Sequence, residues 1–200
     1  LSSPHMSKNE QNYVKEAFDS NWIAPAGPHI KLFEDKLSEI SDNLNIAVLS
    51  SGTAAIHLAL ILLEVERDDC VICSSFTFSA SVNPVIYQGA HPIFIDSEKD
   101  TWNMDPVLLE QAIAEKLNQN QKPKAIILVH LYGYPAKLDE ILRIAKKYDI
   151  PIIEDAAEAI GSSYNNKPLG TFGDIGIYSF NGNKIITTSS GGAILSKDDN

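Results

Sequence analysis

AIILVHLYGYPAKLDEILRIAKKYDIPIIED, residues 125–155, reads as strand, helix, strand. Ala125–His130 is a short, unbroken run of apolar β-formers, and Pro151–Glu154 is a second. Runs of this kind suit strands buried on both faces, as in a parallel sheet. Between them, Lys137–Tyr148 sets Leu138, Ile141, Leu142 and Ala145 on one helical face. Two parallel strands need a crossover of about this length, so the stretch predicts a β-α-β unit.

The same alternation extends in both directions. Ile46–Leu49, Cys70–Ser74, Pro92–Asp96 and Ile175–Ser179 are further strand candidates, followed by Ala193–Leu195. Helices fit at Ala54–Leu63, Thr77–Gln88 and Pro106–Lys116, the last with Asp105 as N-cap and Pro106 in the first helical position. Lys8–Phe18 and His29–Ile40 are amphipathic, and the second spaces Ile30, Phe33, Leu37 and Ile40 as one stripe. Residues 22–28 form a loop by their Pro and Gly content, and 118–124 a polar loop. The expected fold is α/β: a mostly parallel sheet with helices on both faces. In such sheets ligands sit beyond the carboxyl ends of the strands.

Composition excludes several classes. The chain has 200 residues, 44% of them hydrophobic, and a net charge of −10. Neither a nucleic-acid binder, with its basic face, nor a polybasic membrane binder fits that balance. The longest apolar stretch, Ala54–Leu63, contains His57 and falls short of the roughly 20 residues that span a bilayer. Residues 1–10 are polar and carry no signal-peptide core, so the expected compartment is the cytoplasm. Cys70 and Cys73 form a lone C-x-x-C without a second pair or a His cluster, so they are expected to be structural and no metal site is expected.

The strand ends hold the candidate chemistry. After Ile46–Leu49, Ser50-Ser51-Gly52-Thr53 opens a helix, where backbone N–H groups and the helix dipole suit a phosphate. The same residues are also ordinary caps. Asp155 closes a buried strand, where an unpaired carboxylate is costly. It either caps the next helix or pairs with a cationic ligand group. His130 closes another strand; it either reaches the site or, at least as readily, is a hydrogen-bonded structural residue. Ser179 and Lys184 come at the same sheet edge, with the small-residue run 187–192 behind them. A single lysine is usually solvated surface. A phosphate cradle, an acid for a ring nitrogen and a lysine for an aldehyde together suggest pyridoxal 5′-phosphate (PLP).

These motifs carry a resemblance across essentially all 200 residues. Ser2-Ser3-Pro4-His5-Met6, Trp22-Ile23-Ala24-Pro25, Ser51-Gly52-Thr53-Ala54-Ala55, Thr77-Phe78 with Asn83, His130-Leu131-Tyr132-Gly133, residues 154–159 and Ser179-Phe180-Asn181-Gly182-Asn183-Lys184 occur in order. The chain resembles the large domain of the DegT/DnrJ/EryC1/StrS family, PLP-dependent aminotransferases of fold type I acting on nucleotide-linked keto sugars. The resemblance implies Lys184 as the Schiff-base lysine and proton shuttle, and Asp155 as the partner of the pyridinium nitrogen. It implies Gly52, Thr53 and Ser179 at the phosphate and the Phe78 ring stacked on the cofactor. Glu158 lies where the family often has His or Gln near the 3′-oxygen, a position at which a carboxylate needs a proton or a donor. Trp22 and Ile23 match a segment near the active site and partner subunit.

The implied reaction moves an amino group from glutamate to a keto group of a nucleotide-linked sugar, with C4 of a UDP-linked 4-keto-6-deoxyhexose as the detailed expectation, for surface polysaccharide or glycan synthesis. A PLP-dependent dehydratase and a non-catalytic truncated binding protein are the alternatives; lysine at 184, where some relatives carry His, favours transamination. The expected assembly is a homodimer with its active site at the interface. Residues 1–200 are expected to be a truncated large domain without the family's small C-terminal domain. Such a piece is expected to expose apolar surface at the missing interface and to be poorly soluble or inactive.

Overall fold

The computed structural model describes residues 3–24 and 26–197; Leu1, Ser2, Pro25 and the closing 198–200, where parts of the N-terminal motifs and the chain end fall, lie outside the described residues. In chain order the elements are α1 (Glu10–Asp19), α2 (Pro28–Ile40), β1 (Asn45–Leu49), α3 (Gly52–Leu62), β2 (Cys70–Ser74), α4 (Asn83–Tyr87), β3 (His91–Ile95) and α5 (Pro106–Asn118). Then come β4 (Ala125–Val129), α6 (Leu138–Tyr148), β5 (Ile152–Asp155), β6 (Ser163–Tyr164), β7 (Lys167–Pro168), β8 (Ile175–Ser179) and β9 (Gly192–Ser196).

Seven strands form one sheet in the order β1-β9-β8-β5-β4-β2-β3. The pairs from β8 through β5, β4 and β2 to β3 are parallel, as the apolar strand runs predict. The strand β9 enters antiparallel between β1 and β8. A β-α-β pattern supplies parallel neighbours, but β9 succeeds β8 through a loop without a crossover helix, so it runs back along it. The hairpin β6–β7 forms a separate two-stranded sheet that the apolar pattern does not signal.

Alternate side chains of the strands enter two cores. Ile126, Leu128 and Ile152 pack in one with Leu37 of α2, Leu109 and Ile113 of α5, and Leu138, Ile141 and Ile144 of α6. Ala125, Ile127 and Ile153 pack in the other with Ala55, Ile56, Ala59 and Leu60 of α3 and Val85 of α4. That two-fold alternation with both faces covered explains why these strands are apolar throughout. Asp105 caps α5 by accepting from the Val107 and Leu108 N–H groups. The helix α6 carries Asp139 and Glu140 in its first turn and Lys146 and Lys147 in its last, which complements its dipole.

Two helical expectations change. Thr77–Gln88 is not one helix but a 3-10 turn, Ser79–Ser81, and then the short α4. Pro84 has no N–H to give to the Ala80 carbonyl, so a continuous helix cannot run through it. In α2 only Leu37 of the expected stripe is buried, while Ile30 and Ile40 are exposed. No residue of α1 is buried, and Tyr13, Val14 and Phe18 face solvent.

Cys70 and Cys73 are unpaired thiols buried in β2, and burial pushes Cys73 up to about 12, which keeps it from acting as a thiolate at neutral pH. Among the described residues no group of His, Cys, Asp or Glu is arranged to hold a metal ion, and no helix is long and apolar enough to cross a membrane.

Candidate active site

The carboxyl ends of β1, β4, β5 and β8 converge on a cavity of about 250 Å³. Gly52, Thr53, Phe78, Asp155, Glu158, Ser179 and Lys184 all line it. Trp22 and Ile23 are exposed and do not line it.

One wall is the first turn of α3. Ser51 is extended and its Oγ accepts from the Ala54 N–H at 3.0 Å. The Gly52 and Thr53 amides have no partner within the helix and lie at its positive end, an arrangement that receives an anion. Gly52 allows a close approach: a Cβ there would sit 3.0 Å from Cβ of Ser179, at the end of β8. Gly192 does the same for β9, because a Cβ on it would fall 2.3 Å from the Ser51 carbonyl carbon. These two contacts draw the helix start against the sheet and bring the Ser179 hydroxyl beside its amides.

The floor is Asp155, buried at the end of β5. Its Oδ2 accepts from Ser81 Oγ at 2.6 Å and its Oδ1 from the Ala157 N–H at 3.2 Å. Burial pushes its carboxyl above the ordinary carboxylate range, while the Ser81 hydroxyl, the Ala157 amide and the Lys184 side chain pull the other way. Charge is therefore expensive here, and a cationic ligand group would offset that cost.

Behind the floor, on the other side of the strand, Glu154 is fully buried. It accepts from the amides of Gly170 (2.6 Å), Phe172 (2.7 Å) and Gly173 (2.8 Å), and bonds His130 Nε2 at 2.8 Å. His130 Nδ1 accepts from the Ala136 N–H, so the ring proton is on Nε2 and is donated to Glu154. Burial would raise the Glu154 carboxyl, but His130 and the amides outweigh it and hold it low. Of the two readings of His130, the structural one accounts for both of its ring nitrogens.

Lys184 lies in the loop after β8, its side chain 10% exposed. Its Nζ bonds Glu158 Oε1 at 3.2 Å, and Glu158 Oε2 accepts from the Tyr132 N–H at 3.0 Å. Tyr132 has a left-handed backbone (φ 51°), and the buried Asn103 braces its turn by accepting from the Leu131 N–H and donating to the Tyr134 carbonyl. The Phe78 ring stands at the rim, 72% exposed, free to cover one face of a planar ligand.

The sequence alone assigns no role to Ser81, Asn103 or the Tyr132 amide. Each acts through a partner remote in sequence, and no motif spacing marks such pairs. The lining as a whole fits PLP: amides and hydroxyls for a phosphate, a buried carboxylate for a ring nitrogen, an aromatic face and an amine.

The model of the DegT/DnrJ/EryC1/StrS aminotransferase family matches residues 4–200. EpsN of Bacillus subtilis (strain 168), provisionally named a pyridoxal phosphate-dependent aminotransferase, is 56% identical over 199 residues, covering 100% of this chain and 51% of that protein. The GDP-perosamine synthase of Escherichia coli O157:H7 is 44% identical over 98% of this chain and 52% of its own length. A solved structure from Streptococcus pneumoniae, provisionally named a sugar aminotransferase and in its PLP form, superposes with a TM-score of 0.90 at 34% identity, covering 100% of this chain and 53% of that one. The chain thus spans about half the length of the curated relatives it matches.

Proposed function

Because the chain belongs to the DegT/DnrJ/EryC1/StrS aminotransferase family, we propose that this cavity holds PLP and that the whole protein transfers an amino group from glutamate to a keto carbon of a nucleotide-linked sugar. The observation that carries the reading is the joint lining of one cavity by an amine, Lys184, and a buried carboxylate, Asp155, beside the open first turn of α3. When bound, the cofactor supplies an electron sink for the carbon from which a proton is removed.

The protein's own groups do the rest. The Gly52 and Thr53 amides, with the Thr53 and Ser179 hydroxyls, hold the phosphate and fix the ring's position. Asp155 holds a proton at the ring nitrogen by presenting a negative charge to it. Phe78 covers a ring face and excludes water from it. Lys184 Nζ takes the proton from the amino-bearing carbon and returns it, as a general base and then acid. Glu158 Oε1 gives that amine a fixed seat when it is otherwise unengaged. The distinction from a dehydratase rests on Lys184 itself, whose amine can bond an aldehyde, as the histidine of related dehydratases cannot.

The acceptor is a 4-keto-6-deoxyhexose on a nucleotide. The F-N-G-N-K run favours UDP, whereas the GDP-perosamine synthase relative favours GDP. The homodimer and the small C-terminal domain belong to the same proposal. With PLP added to the full-length protein, borohydride should fix the cofactor to the peptide holding Lys184, and glutamate should bleach its absorption band. UDP- and GDP-linked keto sugars then compete, and mass spectrometry reads amine gain against loss of a hydroxyl. No PLP retention, or the same spectrum in Lys184→Ala, refutes the enzyme reading.

A further inference from the structure

We propose that Ser81 is the positioning residue for Asp155: its hydroxyl, supported in turn by Thr77, holds Oδ2 in one place and keeps a proton shared with a ligand nitrogen on the ligand's side. Ser81 Oγ lies 2.6 Å from Asp155 Oδ2 and 2.8 Å from Thr77 Oγ1. A hydroxyl has one proton. Ser81 gives its proton to the carboxylate, so it receives from Thr77, and the three groups form a directed chain from Thr77 through Ser81 to Asp155. The chain points at the buried end of the cavity, where Ser81 is 3% exposed and solvent cannot substitute for the hydroxyl.

The break at Pro84 makes this contact possible. It turns residues 79–81 into a tight 3-10 turn, with the Ser81 N–H bonded to the Phe78 carbonyl, instead of the first turn of a long helix. One short turn therefore sets both Phe78 at the rim and Ser81 at the floor. The other groups facing Asp155 are the Ala157 amide on its own segment, Lys184 from the loop after β8 and His130 at the end of β4. Lys184 is engaged by Glu158, and both ring nitrogens of His130 are occupied elsewhere. Ser81 is thus the side-chain hydroxyl bonded to this carboxylate, and it favours the charged form that burial disfavours.

The claim about the shared proton rests on the cofactor reading; the claim about Asp155 itself does not, and two measurements separate them. In cofactor-free protein with carbon-13 in its aspartate carboxyls, Ser81→Ala should move the Asp155 titration to higher pH. Thr77→Val should move it the same way by less, and Ser81→Thr, which keeps the hydroxyl, should restore it. With PLP labelled with nitrogen-15 in the ring, Ser81→Ala should shift the ring nitrogen toward its unprotonated position and weaken PLP binding about tenfold, the scale of a hydrogen bond to a charged group. An Asp155 titration unmoved in both Ser81→Ala and Thr77→Val overturns the proposal. If Ser81→Ala does not fold, Thr77→Val against Ser81→Thr decides it. A wild-type protein that holds no PLP defeats the cofactor reading alone, and the aspartate titration still decides the role of Ser81.

Discussion

Replacing Glu154 by Gln should destabilise the fold by about 3–5 kcal/mol, although the change is nearly isosteric. All four partners of the Glu154 carboxylate are donors: His130 Nε2 and the Gly170 amide on Oε1, the Phe172 and Gly173 amides on Oε2. A carboxamide offers one acceptor oxygen and one NH2, so either orientation leaves two buried donors facing a donor. Each such unmade bond costs about 1–3 kcal/mol, so two of them account for a loss of this size. His130 cannot relieve the clash by moving its proton, because Nδ1 would then confront the Ala136 N–H. Against a typical total of about 5–15 kcal/mol, the loss is large. Urea unfolding of wild type and Glu154→Gln, monitored by circular dichroism, reads the difference. A loss below about 1 kcal/mol would mean that at least one of the four contacts is not a donation to Glu154, and the assigned His130 tautomer would be wrong.

Glu98 offers a pH test. Burial would raise its carboxyl, but Thr101, the Asp100 and Thr101 amides and Lys137 hold it at about 2 against an ordinary 4.5. A depressed carboxyl stabilises the fold fully above its unfolded value, and that contribution is lost as pH falls from about 4.5 to 2; urea midpoints of Glu98→Gln should therefore decline less over that window than those of wild type. Gly52→Ala places a Cβ 3.0 Å from Cβ of Ser179, so the first turn of α3 or the end of β8 must give way. A stability loss of about 1–3 kcal/mol should accompany weaker PLP binding, and unchanged values for both would show that the close approach is not needed.

Much of the candidate site was legible because the residues that line the cavity stand at the ends of apolar runs. Asp155 and Ser179 close strands whose composition marks them as buried, and Gly52 and Thr53 open a helix straight after one. Lys184 was harder, since only its place in an ordered set of motifs separated it from a surface lysine. Pattern could not supply the contacts made across the fold. Ser81 meets Asp155 over 74 positions, and Glu158 meets Lys184 over 26. The helix expected across Thr77–Gln88 hid the first of these, since its apolar content fitted a helix while Pro84 broke it. The reversed direction of β9 was equally hidden: its composition matches that of its parallel neighbours, and only its short connection to β8 dictates the turn back. The stripes of α1 and α2 promised more burial than either helix has.

That reversed strand has a consequence for the order in which the molecule can assemble. Among the described residues β1 pairs in the main sheet with β9 alone, Asn45 to Ser196 and Leu49 to Gly192, and α3 starts directly after β1. During synthesis β2, β4 and β5 can find one another early, while β1 waits for a strand made almost 150 residues later. Closing so long a loop is entropically slow. The first turn of α3, at Gly52, is among the first parts of the cavity to be translated and among the last to be locked in place. A ribosome stalled before Gly192 would therefore carry a chain with a folded centre and an unfinished cavity.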